Sequence, residues 1–178
     1  MFTLEIKDYG KIVPDAFHGT SQAIAEEIQK EGEFFQSTGE NLYLGDGIYF
    51  FESSEWHAKD WARRRYRDGE IGIICACINL GHCLDLNNRE HLGFIKTVAI
   101  KLAKMRGKAI TDAIVINFIT TYPSNTKIDT VRASHFGVHY RGGQTIFPGS
   151  HFFDYSQLMI CVKNLKNIMN FSITYTGF

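Results

Sequence analysis

The sequence predicts a single α+β domain spanning residues 1–178. Three patterns point there. Ile71 to Leu80 is almost continuously apolar, with Cys and Ala among the branched residues, which reads as a buried strand. Leu92, Ile95, Val98, Leu102 and Met105 recur at helical spacing and stop at Gly107. Val162, Ile168, Phe171, Ile173 and Tyr175 suggest strand again at the far end. Strands and helices follow one another in irregular order, which is an α+β arrangement. A chain of 178 residues is long enough for one real core.

The elements follow in order. A first strand is expected over Leu4–Ile6, then a strand leading to His18. Thr20 and Ser21 are good N-caps. Ala23, Ile24 and Ile28 continue at helical spacing and Gly32 is a stop, so a helix runs from about residue 21 to 31. Gly45 and Gly47 flank Asp46 and permit a tight turn ahead of the strand that carries Tyr49. Ser53 and Ser54 cap a helix containing Trp56 and Trp61. Leu84-Asp85-Leu86 is expected to continue or pair with the Ile71–Leu80 strand. A more apolar helix starts near Thr111 or Asp112 and ends before Pro123. Residues 124–155 are polar and glycine-containing with weak periodicity, and a late strand covers Ser156 to Val162.

Composition limits the function. No stretch approaches the roughly eighteen apolar residues of a membrane span, and the first residues are charged without a signal-like apolar core. The expected location is cytoplasmic. Cys75, Cys77 and Cys161 sit in or beside apolar runs, as buried thiols do, and Cys75-Ala76-Cys77 is too tightly spaced for a zinc knuckle. His135 and His139 have i, i+4 spacing but lie in a Gly-containing segment, so no metal is expected. Net charge is zero but unevenly spread. There are nine Lys/Arg against sixteen Asp/Glu up to Glu90, and ten against three after it. Arg63, Arg64, Arg65 and Arg67 form a basic cluster inside the acidic half.

Two motifs carry chemistry. Phe17-His18-Gly19-Thr20 stands at a strand-to-helix junction, and Leu44-Gly45-Asp46-Gly47-Ile48-Tyr49-Phe50 follows about thirty residues later. In that order and separation they resemble the two halves of the nicotinamide pocket of the ADP-ribosyltransferases, in the diphtheria-toxin and poly(ADP-ribose) polymerase branch. The resemblance covers about residues 17–168 and implies a split mixed or antiparallel β core with flanking helices, and NAD as substrate. It implies that the backbone of Gly19 pairs with the nicotinamide carboxamide. His18 would offer a ring nitrogen to a ribose hydroxyl, with Thr20 beside it, and Tyr49 would stack on the nicotinamide ring. A second aromatic would close the other face, with Trp61 the choice and Trp56 and Tyr66 the alternatives.

The third element departs from the best-known members, which carry a glutamate on a late strand. This chain has no glutamate after Glu90. Gln157 falls nearest that position, Met159 shares its strand face, and Asp154 lies just upstream. A glutamine contacts a ribose hydroxyl without supplying charge. The resemblance therefore implies a mono-ADP-ribosyltransferase, built like small bacterial toxins and defence effectors, with an antitoxin protein among its possible partners. Other readings stay open: a transferase acting on protein, an NAD glycohydrolase, or an NAD- or ADP-ribose-binding module without chemistry. The favoured acceptor is a base in single-stranded DNA or RNA. Lys127, Arg132 and Arg141 would meet its phosphates, with Lys163 a further basic candidate. Tyr122, Phe136, Tyr140 and Phe147 would stack on unpaired bases.

Overall fold

The computed structural model describes residues 4–107, 109–123, 127–136, 145–148, 150 and 156–178. Seven strands form one mixed sheet: β1 Ile12–Ser21, β2 Ile48–Glu52, β3 Ile71–Asn79, β4 Cys83–Asp85, β5 Thr130–Phe136, β6 Ser156–Val162 and β7 Ile168–Gly177. Their order across the sheet is β4-β5-β6-β2-β1-β3-β7. Among the described strands only the β4–β5 pair is parallel. Four helices flank it: α1 Gln22–Glu31, α2 Glu55–Arg65, α3 Arg89–Arg106 and α4 Asp112–Thr121.

The helices begin where side-chain caps allow. The hydroxyls of Ser21, Ser54 and Thr111 each accept from a backbone N–H in the first turn of α1, α2 and α4. Gly32 and Gly107 end α1 and α3 in the left-handed conformation. Strand parity then sorts the core. Ile74, Ala76 and Ile78 join Ala25 and Ile28 of α1 on one face. Ile71 and Ile73 join Ala58 and Ala62 of α2, with Val98 of α3 and Ile116 of α4, on the other.

The seam between β1 and β2 is the feature that positions the site. Those strands pair only at Ala16–Glu52 and Phe17–Phe51. Beyond Phe17, β1 pairs with β3 as far as Ser21, while β2 pairs with β6 from Ile48. Two neighbouring strands thus part company at the His18-Gly19 step, and the sheet opens there. A register shift at Pro14-Asp15 lies just before the parting; Pro14 has no N–H for a ladder.

Three expectations need correction. Leu4–Ile6 is not a strand; the chain there makes no ladder and reaches the sheet through an isolated bridge at Asp8–His82. Residues Leu84 and Asp85 belong to β4, which pairs with β5 at the far edge and not with β3. The weakly periodic stretch contains β5, whose ladder runs antiparallel to β6 from Thr130–Val162 to Phe136–Ser156. Its alternation is hard to read because Arg132 is part-buried in an ion cluster on the face where a surface strand would show a solvated charge.

Candidate functional site

The open seam leads into a cavity of about 140 Å³. His18 and Gly19 reach it from β1, Tyr49 and Phe51 from β2, Trp61 and Arg64 from α2, and Gln157 and Met159 from β6. The loop between α1 and β2 completes the wall with Ser37, Asn41, Leu42 and Tyr43.

His18 bridges the parted strands. Its Nδ1 lies 2.8 Å from the Tyr49 carbonyl oxygen. A carbonyl only accepts, so Nδ1 carries the proton and Nε2 keeps its lone pair. Burial lowers the pKa of the ring, against the raising effect of the Tyr49 bond, which keeps it neutral. Phe34 and Phe50 hold it edge-on and tilted at 5.8 and 5.6 Å. The result is a fixed acceptor at the seam.

Tyr49 contributes a ring face and not a hydroxyl. Its OH donates to the Gly45 carbonyl at 2.7 Å and accepts from the Leu44 N–H at 3.0 Å. Burial pushes its pKa far up, so it remains a neutral phenol. The loop it clamps is tied from elsewhere too. Asn117 of α4 accepts from the Asp46 N–H at 2.7 Å, and the Lys163 ammonium donates to the carbonyls of Leu44 and Asp46. Ser37 and Gly47 exchange two backbone bonds of 2.9 and 3.0 Å that close the neck of the loop. Gly45 takes φ of +70°, where a Cβ would also strike Asn117.

Gly19 is needed for a reason the sequence did not show. A Cβ there would lie 2.3 Å from the Ala58 carbonyl oxygen of α2. The missing side chain lets the helix lie on the strand, and that closeness sets Trp61 and Arg64 at the cavity. Trp61 is 39% exposed and stands edge-on to Tyr66. Trp56 and Tyr66, the other candidate aromatics, do not line the cavity.

Gln157 brings an unmet hydrogen-bonding need. Its Nε2 donates to the Met159 sulfur at 3.3 Å, a weak acceptor. Its Oε1 is buried and has no hydrogen-bond partner among the described residues. A buried orphan acceptor costs free energy until a donor arrives. Among the described residues no Asp or Glu lines the cavity. Asp154 lies outside the described residues.

Other candidates are placed elsewhere. Thr20 is buried on the strand, its hydroxyl 3.5 Å from the Tyr66 OH, and does not line the cavity. Arg132 is engaged in an ion cluster instead. Its guanidinium grips Glu52 twice, at 2.6 and 3.0 Å, and Asp85 at 3.1 Å, with its side chain 13% exposed. Ala133 pairs with Met159 and so shares the cavity face; Arg132, one residue away, points to the opposite one. Lys127 precedes the Thr130 end of β5, whereas Gln157 pairs with His135 near the other end. Those five residues of strand alone span about 17 Å at roughly 3.3 Å each. Lys163 holds the loop carbonyls, and burial lowers its pKa. Tyr122 and Phe147 are exposed. Arg141 and Tyr140 lie outside the described residues, as do the side chains of His135 and Phe136. A second cavity of about 520 Å³ adjoins the first, sharing Tyr43 and Met159, between the sheet and α3–α4.

Sequence reasoning missed the Ser37–Tyr43 wall and Arg64. Only the arginine cluster gave a signal, without showing which member turns inward. Among the described residues no three His, Cys, Asp or Glu side chains are grouped to hold a metal, and no helix is long and apolar enough to cross a membrane.

No family model and no solved structure matches the chain. It spans about three fifths of one relative it matches: 137 aligned residues, 31% identical, cover 66% of this chain and 62% of that protein. That relative is an uncharacterized protein of the archaeon Methanocaldococcus jannaschii, and the chain is similar to it over that span.

Proposed function

We propose that the chain binds NAD at the open seam, cleaves the bond between nicotinamide and ribose, and transfers ADP-ribose. One observation carries the reading. Residues singled out from segments far apart in sequence, His18-Gly19, Tyr49, Trp61 and Gln157, line a single cavity. The nicotinamide ring lies between Tyr49 and Trp61. Nε2 of His18 and Oε1 of Gln157 accept from ribose hydroxyls. Gln157 then gains a donor that no described residue supplies, which favours the bound state.

The acceptor is a macromolecule in this reading. A nucleic-acid acceptor would need phosphate contacts other than Arg132 and Lys127, because one is locked in an ion cluster and the other lies past the distant end of β5. A protein side chain is the competing acceptor.

A second reading is favoured by the lack of a cavity carboxylate among the described residues: an NAD-binding module with slow or absent chemistry. One experiment separates them. The purified chain is titrated with NAD, then incubated with labelled NAD and cell extract, and nicotinamide release is measured. Label lost on nuclease treatment identifies a nucleic-acid acceptor, and label lost on protease treatment a protein. Free ADP-ribose alone means hydrolysis. Binding without nicotinamide release supports the module, and absence of binding rejects both.

A further inference from the structure

The next step rests on the NAD reading and concerns the arginine cluster. The structure separates its members. Arg63, Arg65 and Arg67 are exposed, and Arg63 reaches the Phe178 carbonyl at 3.2 Å. Arg64 alone is half-buried and lines the cavity. It follows Trp61 by three residues, so the two share a helix face. Among the described lining residues it is the one lysine or arginine. Its own helix holds it: Nε donates to the Asp60 carbonyl at 3.2 Å, and Nη2 bonds the Asp60 carboxylate. A guanidinium carries five donors in a planar fork, a geometry matched to phosphate oxygens.

Among the described residues the cavity thus has aromatic and neutral polar walls and one cation. That suits a ligand whose flat ring enters while its anionic part stays beside the cation. We propose that Arg64 binds the diphosphate of the dinucleotide. Helix α2 then acts at two points, Trp61 on the ring and Arg64 on the anion. Arg64 is a specificity residue: it favours phosphate-bearing ligands over the corresponding nucleoside.

Two ligands separate this from the ring pocket. ADP-ribose has the diphosphate and no nicotinamide; nicotinamide riboside has the ring and no phosphate. Both are titrated calorimetrically into the full chain and its variants. Arg64→Ala is expected to weaken ADP-ribose by about tenfold or more, the usual scale for losing a hydrogen bond to a charged group, and to leave nicotinamide riboside unchanged. Arg64→Lys keeps the charge and recovers part of the loss. Arg63→Ala changes neither ligand. Added salt weakens ADP-ribose binding in the parent and much less in Arg64→Ala. Trp61→Ala shows the reverse pattern, losing mainly nicotinamide riboside. Equal loss of both ligands in Arg64→Ala and Arg64→Lys would make the role purely structural and overturn the proposal. So would unchanged ADP-ribose affinity, or a parent chain that does not bind ADP-ribose. Arg64-dependent ADP-ribose binding without any nicotinamide riboside binding would uphold the anion site while rejecting the ring pocket.

Discussion

Replacing Gly19 with alanine tests the link between packing and site. On a strand, Gly→Ala ordinarily stabilises, because glycine loses more backbone freedom on folding, by about 0.5–1 kcal/mol. Here the added Cβ would lie 2.3 Å from the Ala58 carbonyl oxygen, where ordinary contact begins near 3.4 Å. The obstacle is backbone in the middle of α2 and cannot rotate away. The helix must retreat by about 1 Å, the difference between those two distances, and Ala58 and Ala62 lose contact with the sheet. Overpacking of this kind costs about 1–3 kcal/mol, and a backbone obstacle belongs near the upper end. With a urea dependence of roughly 2 kcal/mol per molar, the unfolding midpoint should fall by about 1–1.5 M. Gly19→Val adds branches to the same clash and should cost more. Strands ordinarily accept valine, but the Ala58 carbonyl blocks it here. NAD affinity should fall as well, since α2 carries Trp61 and Arg64. Urea unfolding followed by fluorescence, with NAD titration of the folded fraction, gives both numbers. A Gly19→Ala protein with an unchanged midpoint would refute the argument that this glycine exists to admit the helix.

Further tests follow from the same contacts. Gln157→Leu removes the orphan oxygen, so the ligand-free protein should gain about 1 kcal/mol in stability while nicotinamide release falls; a loss of stability would place a hidden donor on that oxygen. Gln157→Glu supplies the absent charge, and nicotinamide release should rise, whereas Gln157→Ala should lower release more than NAD affinity. Arg132→Met takes the guanidinium from the carboxylates of Glu52 and Asp85, with side chains 10% and 4% exposed, leaving Glu52 to Lys11 and Asp85 to Tyr9 and Asn87, and should cost about 3 kcal/mol in thermal or urea unfolding. Acid should act through the same cluster. Burial alone would raise the Asp85 pKa, but the Asn87 hydrogen bond and Arg132 outweigh it and lower it. A carboxylate depressed in the folded state stabilises above its unfolded pKa near 3.9, and that contribution fades as pH falls below it towards the folded value. His18 acts at higher pH: its lowered folded pKa means the unfolded chain takes up protons first. Stability should therefore decline as pH drops below about 6.5, and His18→Gln should flatten that part of the profile.

Local rules made most of the helices and central strands legible. Ser21, Ser54 and Thr111 are caps by side-chain chemistry, Gly32 and Gly107 are stops by backbone freedom, and Ile71–Asn79 is a core strand by its apolar run. These signals act within a few residues. The Ser156–Val162 strand was readable for the same reason. β4 was recognisable as extended chain but not placed, because strand pairing across the sheet involves residues that are distant in sequence. β5 was hidden because its part-buried Arg132 looks like a surface charge until Glu52 and Asp85 are seen beside it.

The candidate site divides along the same line. By itself, the sequence determined that His18-Gly19 lies on a strand just ahead of a helix, that Tyr49 follows a glycine-rich turn, and that Gln157 and Met159 share a strand face. Those facts depend on residue type and short spacing. Tertiary structure alone decided that β1 and β2 part after Phe17, that Gly19 admits Ala58, and that Arg64 turns to the cavity while Arg132 turns away. A side chain's partner is set by which elements pack against it, and packing joins segments that no local pattern connects.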